Sequence, residues 1–136
     1  MCLAVYLGSD LPVVEIAWDK KKPAFYLQGA AASDPARRKF DGSYVYYAGS
    51  HKGCGCGFLK DGEQGEELTL SQANYNELAA VLRSALREGA KLQLFTCWEG
   101  DQADEPESVQ AISVAALLGQ SYELQQLELL TVTSEA

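Results

Sequence analysis

Short apolar runs with polar breaks between them make up most of the chain, and one long amphipathic segment interrupts the series. Residues 3–7, 44–48 and 92–98 are apolar or aromatic runs of strand length, and each is followed by glycine or a charged residue. Such runs predict buried β-strands. Residues 71–88 instead place apolar side chains along one stripe at helical spacing, which predicts the main helix of the fold.

Local signals set the expected ends of this helix. Ser71 can accept a hydrogen bond from an otherwise unpaired N–H of the first turn, as an N-cap residue does. Leu70 and Tyr75 have the spacing of a hydrophobic staple across that cap. Gly89 is well placed to end the helix, because glycine readily adopts the left-handed conformation found after many helix C-termini.

Weaker patterns fill the rest of the chain. They predict, in chain order, a strand at residues 13–18, an exposed loop with one helical turn at 28–43, a short strand at 108–112, a helical turn at 114–118 and a strand with a bulge at 122–132. Taken together, strands and helices mix along one chain without a linker that would divide it.

These elements predict a single α/β domain over residues 1–136, with an α+β arrangement as the alternative. We expect a mixed sheet packed against the main helix, with a βαβ unit that leads from strand 44–48 through the helix to strand 92–98. Strands joined by a helix normally run parallel, and the loops that leave their carboxyl ends share one edge of the sheet.

Charge is distributed unevenly along the chain. Residues 1–60 carry eight Lys/Arg and five Asp/Glu, a net charge of +3, whereas residues 61–136 carry three and fourteen, a net charge of −11. An acidic half of this size would repel nucleic acid and anionic membranes, so we expect neither as a partner. The acidic stretch 61–67 is expected to be a solvated loop.

The rarest side chains lie in the loop that follows strand 44–48. This loop contains the single histidine, His51, and two of the four cysteines, Cys54 and Cys56, each flanked by glycines. Cys97 lies near the end of strand 92–98, so the predicted βαβ unit brings it to the same edge of the sheet. The helix N-terminus also faces this edge, and its dipole favours thiolates.

The direction of strand 3–7 remains undecided from the sequence. If this strand is parallel to its neighbours, Asp10 lies at the edge with the loop and Cys2 lies at the far edge. If it is antiparallel, Cys2 and Asp10 trade places.

Metal binding is the preferred interpretation of the loop. In an extended Cys-x-Cys segment both side chains point to one face, and glycine lets the backbone bend around an ion. One nitrogen and three sulfurs would suit zinc or another soft metal. The expected ligands are His51, Cys54, Cys56 and Cys97.

Thiol chemistry is the alternative. Cys54 or Cys56 could act as a nucleophile or redox centre if His51 and the helix N-terminus lower its pKa. His51 would also need a carboxylate to orient it. The candidate carboxylates are Asp10, Glu99 and Asp101.

A structural interpretation competes with both. Free cysteine is among the most buried residue types and packs as a small apolar side chain, and glycines also serve tight turns. His51 would then only bond to backbone, and the protein would act as an interaction module through some other surface. The sequence leaves open whether the chain is an enzyme.

Residues 46–58, YYAGSHKGCGCGF, resemble the signature of a small group of bacterial proteins of unassigned function. Residues 1–4, MCLA, and 129–132, LLTV, are similar to that group as well, so the resemblance extends over most of the chain. It implies a bacterial, cytoplasmic origin, and it supplies no activity, cofactor or catalytic residue.

Cellular location and assembly follow from other signals. The apolar run near the N-terminus has no basic segment before it, which argues against a secretory signal. Four cysteines without an export signal are typical of reduced thiols or metal ligands, so we expect a cytoplasmic protein. No partner is indicated by the sequence, and a homodimer stays open.

Overall fold

The computed structural model describes residues 1–134, and in that part of the chain six strands form one mixed sheet. The strands are β1 (Leu3–Ser9), β2 (Tyr26–Gly29), β3 (Tyr44–Gly49), β4 (Leu92–Trp98), β5 (Ser108–Ser113) and β6 (Glu128–Thr133), and the α-helices are α1 (Gly65–Arg87) and α2 (Val114–Leu117). Their order across the sheet is β2-β3-β1-β4-β6-β5. The predicted α/β fold with one main helix is confirmed.

Strand β1 lies inside the sheet, and all seven of its residues are buried. It pairs antiparallel with β3 on one side and with β4 on the other. β3 and β4 therefore run parallel to each other, as expected for the two strands that α1 connects. They are not neighbours in the sheet, however, because β1 lies between them.

A separate core lies on each face of the sheet. Leu78 of α1 belongs to one core cluster with Val5 of β1. On the opposite face, Tyr6 packs in a smaller cluster with Phe40, which follows the short 3₁₀ helix Pro35–Lys39. Alternation along β1 therefore sends successive side chains to the two different cores.

Helix α1 is amphipathic, as its sequence pattern predicts. Its buried residues include Tyr75, Leu78 and Leu82, whereas Glu77 and Arg87 are exposed. This stripe faces the sheet and closes the larger core. Across residues 1–134, no helix combines the length and the apolar character needed to cross a membrane.

Helix α1 begins at Gly65 rather than at the predicted Ser71. Glu66 and Glu67 occupy its first turn, where carboxylates interact favourably with the helix dipole. Ser71 is buried inside the helix, and its hydroxyl donates to the Leu59 carbonyl at 3.3 Å instead of capping the first turn. The acidic stretch expected to be a loop thus contributes the first turn of the helix.

The C-terminal end of α1 matches the prediction. Gly89 has a φ of +92°, and its N–H donates to the Leu86 carbonyl at 3.0 Å. The Ala90 N–H donates to the Ala85 carbonyl at 3.0 Å. These two bonds form a Schellman motif, which requires the left-handed conformation that glycine tolerates.

The predicted strand 13–18 is wrong. This segment makes a single bridge, between Ile16 and Leu27, and Val14 is 85% exposed. The strand that pairs with β3 is β2, which begins at Tyr26 and runs into the segment expected to be a loop. The structure therefore replaces one edge strand by another about ten residues further along.

The predicted strand 122–132 is shortened to β6, and the residues before it serve another purpose. The Leu124 N–H donates to the Tyr75 hydroxyl at 3.0 Å, and the Tyr122 ring stands edge-on to the Tyr75 ring at 6.1 Å. Leu127, with a φ of 56°, turns the chain into the strand. Tyr122 and Leu124 thus pack against α1 rather than extending the sheet.

The remaining predicted elements are present. β5 corresponds to the short strand expected at residues 108–112, and α2 to the helical turn expected at 114–118. The Ser113 hydroxyl caps α2 by accepting the Ala116 N–H at 3.1 Å. The helical turn expected within residues 28–43 is the 3₁₀ helix described above.

Candidate metal centre

The loop with the rare side chains lies at the sheet edge where β3 and β4 end and β1 begins. Because β1 runs antiparallel to both neighbours, its first residues reach this edge and bring Cys2 with them. Asp10 lies at the opposite edge, where its Oδ1 accepts a hydrogen bond from the Lys91 N–H at 2.8 Å. The direction of β1 thus decides between the two alternatives that the sequence left undecided.

Ser50 fixes the fold of this loop from inside. The residue is fully buried, and its hydroxyl donates to the Cys54 carbonyl at 2.5 Å. The same oxygen accepts the N–H groups of Lys52 and Gly57 at 3.2 and 3.0 Å. Gly53 supplies the left-handed conformation of the turn, with a φ of +81°. The loop is therefore held by its own hydrogen bonds.

Gly55 lets the loop approach the start of β1. A Cβ atom at this position would lie 2.4 Å from the Leu3 carbonyl oxygen, so a larger residue would force the two segments apart. Residues Gly55–Phe58 form a short 3₁₀ helix with Cys54 as its N-cap. This close contact carries Cys54 and Cys56 to the first residues of β1.

Three thiols meet as a result. One sulfur from each of Cys2, Cys54 and Cys56 lies within 4.8 Å of the other two. The Leu3 N–H donates to the Cys56 sulfur at 3.2 Å, and the Cys56 N–H donates to the Cys54 sulfur at 3.5 Å. Cys2 is exposed, and the other two are partly buried. The cluster is therefore held by backbone and remains open to solvent on the Cys2 side.

An aromatic wall stands beside the cluster. The Tyr26 hydroxyl donates to the Gly53 carbonyl at 2.6 Å, which ties the loop to β2. The Trp18 ring lies edge-on to the Tyr26 ring at 5.3 Å, and Tyr47 lies 6.2 Å from Tyr26 on the other side. Burial raises the pKa of Tyr26, and a thiolate at Cys54 would raise it further. These phenols therefore remain protonated beside the sulfurs.

His51 points away from the thiols and toward helix α1. Its Nδ1 lies 2.9 Å from the Asn74 side-chain nitrogen, and its Nε2 lies 3.3 Å from a Glu67 carboxylate oxygen. Since an amide nitrogen can only donate, Nδ1 accepts, and the ring proton on Nε2 is directed to Glu67. The carboxylate in contact with His51 is thus that of Glu67, which is none of the three expected candidates.

Cys97 is fully buried on the opposite face of the sheet, in the smaller core that also contains Tyr6. Burial raises the pKa of its thiol to about 12, and the charges of Glu99 and Asp101 contribute in the same direction. Among the described residues, the group able to hold a metal includes Cys54 and Cys56 but neither His51 nor Cys97. Of the four expected ligands, the structure therefore brings together Cys54 and Cys56, and Cys2 is the third member of the cluster.

Burial also raises the pKa of Cys54 to about 12, and its contacts with the thiols of Cys56 and Cys2 add to this shift. A thiol of this kind is protonated at neutral pH and is a weak nucleophile. A bound cation reverses this balance, because a metal ligates the thiolate and displaces the proton. The arrangement is thus better suited to metal ligation than to nucleophilic attack on a free substrate.

Cys2 is the site residue that sequence reasoning could not assign. Its position depends on how β1 pairs, and a strand with no helical connection on either side carries no local signal for its direction. The order of elements along the chain, from β1 through β3 and α1 to β4, is compatible with either a parallel or an antiparallel β1. Only the pairing of β1 between β3 and β4 places Cys2 beside the loop.

The fold and the site together define an α/β protein with a cluster of three cysteine thiols at one edge of its sheet. No protein-family model, curated protein sequence or solved structure matches the chain.

Proposed function

We propose that this protein binds one soft metal ion through the thiolates of Cys2, Cys54 and Cys56, in the reducing environment of the cytoplasm. The observation that carries the proposal is the approach of three sulfurs to within 4.8 Å of one another. Thiolates are soft ligands and select zinc, monovalent copper or iron–sulfur chemistry over magnesium and calcium. The ligand set is therefore all sulfur, without the imidazole expected from the sequence.

Zinc is the metal with which we state the proposal. Structural zinc sites normally have four protein ligands, whereas sites with three protein ligands keep the fourth position for water or another small ligand. The exposure of Cys2 leaves the cluster accessible from solvent, as such a fourth ligand would require. The three thiols would hold the ion, and the loop around Ser50 would keep Cys54 and Cys56 oriented toward it.

Thiol catalysis has less support from the same residues. A catalytic cysteine needs a base in contact with it and a lowered pKa. His51 is instead bonded to Asn74 and Glu67, and the pKa of Cys54 is raised rather than lowered. An interaction module remains the alternative for a protein that binds no metal.

Elemental analysis of the reduced protein, followed by zinc titration against a chromophoric chelator, tests the proposal. We expect one zinc per chain for the wild-type protein. Cys54→Ser, which removes one of the three sulfurs of the cluster, should weaken zinc binding on the order of a hundredfold or more, because metal affinity requires the complete thiolate set.

Cys97→Ala is the matched control, because it removes a thiol that lies outside the cluster. We expect this variant to bind zinc with the wild-type stoichiometry and affinity. His51→Gln should also retain zinc binding. Absence of stoichiometric zinc from the reduced wild-type protein, or an equal loss of affinity in Cys97→Ala and Cys54→Ser, would contradict the proposal.

A further inference from the structure

The three thiols differ in what holds them. The Cys56 sulfur accepts the Leu3 N–H at 3.2 Å and lies 3.9 Å from the Met1 carbonyl oxygen. The Cys54 sulfur lies within 4.8 Å of the sulfurs of both Cys2 and Cys56 and accepts the Cys56 N–H at 3.5 Å. Cys56 is therefore held by the backbone that leads into β1, whereas the Cys54 sulfur is bonded within its own turn, which leaves Cys54 as the partner for Cys2.

The two partners of Cys54 are not equivalent for covalent pairing. Cys54 and Cys56 are separated by one residue, and Cys54 caps the 3₁₀ helix that contains Cys56. A disulfide between them would strain this tight turn, because a disulfide requires a defined separation and torsion of its two Cβ atoms. Cys2 comes from a different segment, so a bond from Cys54 to Cys2 imposes no such ring.

We propose that Cys2 and Cys54 form a reversible disulfide that closes the metal site. Its effect on metal binding rests on the function proposed above, whereas the disulfide itself rests only on the geometry of the cluster. Two of the three thiolate ligands are consumed by the bond. The oxidised protein therefore releases the ion and cannot bind it again until the bond is reduced.

The reaction balances with a low-molecular-weight disulfide as oxidant. The exposed Cys2 attacks one sulfur of the oxidant as a thiolate, having lost its proton to solvent, and forms a mixed disulfide while one small thiolate leaves. Cys54 then attacks the Cys2 sulfur, loses its proton, and releases the second small thiolate. The two small thiolates take up the two protons, so two cysteine thiols are oxidised and one small disulfide is reduced to two thiols.

The location of the two cysteines favours this order of events. Cys2 is the exposed member of the cluster and meets the oxidant first, whereas Cys54 is partly buried behind it. The second attack is intramolecular between neighbouring sulfurs, so it does not depend on a second encounter with the oxidant. Cys97 is fully buried and does not compete.

Oxidised glutathione is the probe for the test. The reduced, metal-free full-length chain is incubated with it, remaining thiols are alkylated, and the disulfide is mapped by peptide mass spectrometry. We expect free thiols to fall from four to two, with a peptide cross-link between Cys2 and Cys54, and to return to four after reduction. Cys97→Ala should form the same cross-link, and so should Cys56→Ser.

Cys2→Ser should form no disulfide within the chain under the same conditions. A dominant Cys54–Cys56 cross-link, or mixed glutathione disulfides that never resolve, would overturn the proposal. Zinc titration of the oxidised wild-type protein tests whether the disulfide prevents metal binding. We expect the oxidised protein to lose stoichiometric zinc binding and to regain it after addition of reductant. If the cross-link forms but the reduced protein binds no zinc, the disulfide stands and the proposed function fails.

Conversely, zinc binding by the reduced protein without a Cys2–Cys54 cross-link would leave the proposed function intact and overturn the disulfide. Prior addition of zinc gives a further readout. Bound metal should slow the loss of free thiols at least tenfold, because the thiolates are then occupied as ligands. Equal oxidation rates with and without zinc would contradict the claim that metal and disulfide compete for the same sulfurs.

Discussion

The two ends of one short loop meet different parts of the molecule. His51, at its beginning, is bonded to Asn74 and Glu67 of helix α1, whereas Cys54 and Cys56, a few residues later, meet Cys2 at the start of β1. The sequence places all three scarce side chains together, but the fold separates them. Ser50, which precedes both groups, fixes the turn that separates them, because its hydroxyl donates to the Cys54 carbonyl and accepts the Lys52 N–H.

The difference shows that neighbours in sequence can serve distinct purposes within one loop. The His51 group ties the loop to α1 through a buried amide, and it is made of neutral and acidic partners. The thiol group offers three soft ligands with a solvent-exposed member. We therefore expect the first group to stabilise the fold and the second to carry the proposed metal binding, and the following predictions test this division.

Gly55→Ala should have the largest effect, because it disturbs the contact on which the thiol group depends. The added Cβ would lie 2.4 Å from the Leu3 carbonyl oxygen, so loop and strand must separate. We expect a loss of about 2–4 kcal/mol in the free energy of unfolding, measured by urea denaturation, together with a large loss of zinc affinity.

Gly119→Ala is the matched control for this substitution. A Cβ at Gly119 would make ordinary contacts, with the nearest atom, the Ala116 carbonyl oxygen, at 3.4 Å. Its effect on unfolding should stay within about 0.5 kcal/mol. Equal stability of the two variants would show that the approach of Gly55 to β1 is not required.

Asn74→Ala should break the His51 group while leaving the thiols in place. The Asn74 side chain accepts the His51 N–H and donates to the His51 ring and to the Gly57 carbonyl, and it is almost fully buried. We expect a loss of about 2–3 kcal/mol in the free energy of unfolding, because buried polar groups lose their partners. Zinc stoichiometry should not change.

The exposed Asn76→Ala variant provides the comparison, since Asn76 makes one surface contact, with Gln72 at 3.1 Å. Its unfolding free energy should remain within about 0.5 kcal/mol of the wild-type value. Should Asn74→Ala abolish zinc binding in a protein that is still folded, the division between the two groups would be lost.

Zinc affinity should rise with pH between 6 and 8. The pKa of Cys54 in the metal-free protein is raised to about 12 by burial, so this thiol holds its proton throughout the range and must release it on binding. Each displaced proton adds roughly a tenfold increase in affinity per pH unit, and affinity is lost as pH falls. Competition titrations at three pH values measure the slope.

His51→Gln should leave this slope unchanged, which sharpens the contrast between the two groups. If His51 were a ligand, its replacement would remove one donor from the ion and change both the zinc affinity and its dependence on pH. A flatter pH profile for His51→Gln than for the wild-type protein would indicate that His51 is a metal ligand.

Glu67→Gln should have the smallest effect. The carboxylate lies 3.3 Å from His51 Nε2 and 3.9 Å from the Lys52 ammonium, but its side chain is 47% exposed. Solvent screens such pairs, so we expect a loss of no more than about 1 kcal/mol in unfolding free energy. A loss as large as that of Asn74→Ala would mean that the ion pair, and not the amide, holds the loop.

Much of the fold could be predicted from apolar patterning. β1 is buried throughout and β3 and β4 are mostly buried, so their apolar runs are recognisable from the local sequence. Gly89 ends α1 by a local backbone requirement. The start of α1 could not be predicted in this way, because Glu66 and Glu67 look like solvated loop residues unless the dipole of a helix is already assumed. The strand predicted at residues 13–18 is wrong, and β2 is missed, because edge strands have weak apolar patterns.

The site could be predicted only where local chain geometry determines it. Cys54 and Cys56 are recognisable because their spacing puts both in one short turn. The placement of Cys2 depends on a strand direction, and the exclusion of Cys97 depends on which face of β4 its side chain takes. Both are properties of the whole sheet. The alternation of side chains along β4 puts Cys97 on one face of the strand, but it does not determine which of the two cores that face meets.

The antiparallel course of β1 has a practical consequence for preparing the protein. An affinity tag fused ahead of Met1 would lie next to the thiol cluster. A histidine tag at this position would offer extra imidazole ligands to any added metal. β6 ends at Thr133 at the far edge of the sheet, where Val132 pairs with Leu92 at the start of β4. Recombinant material for metal stoichiometry should therefore be purified through that end of the chain.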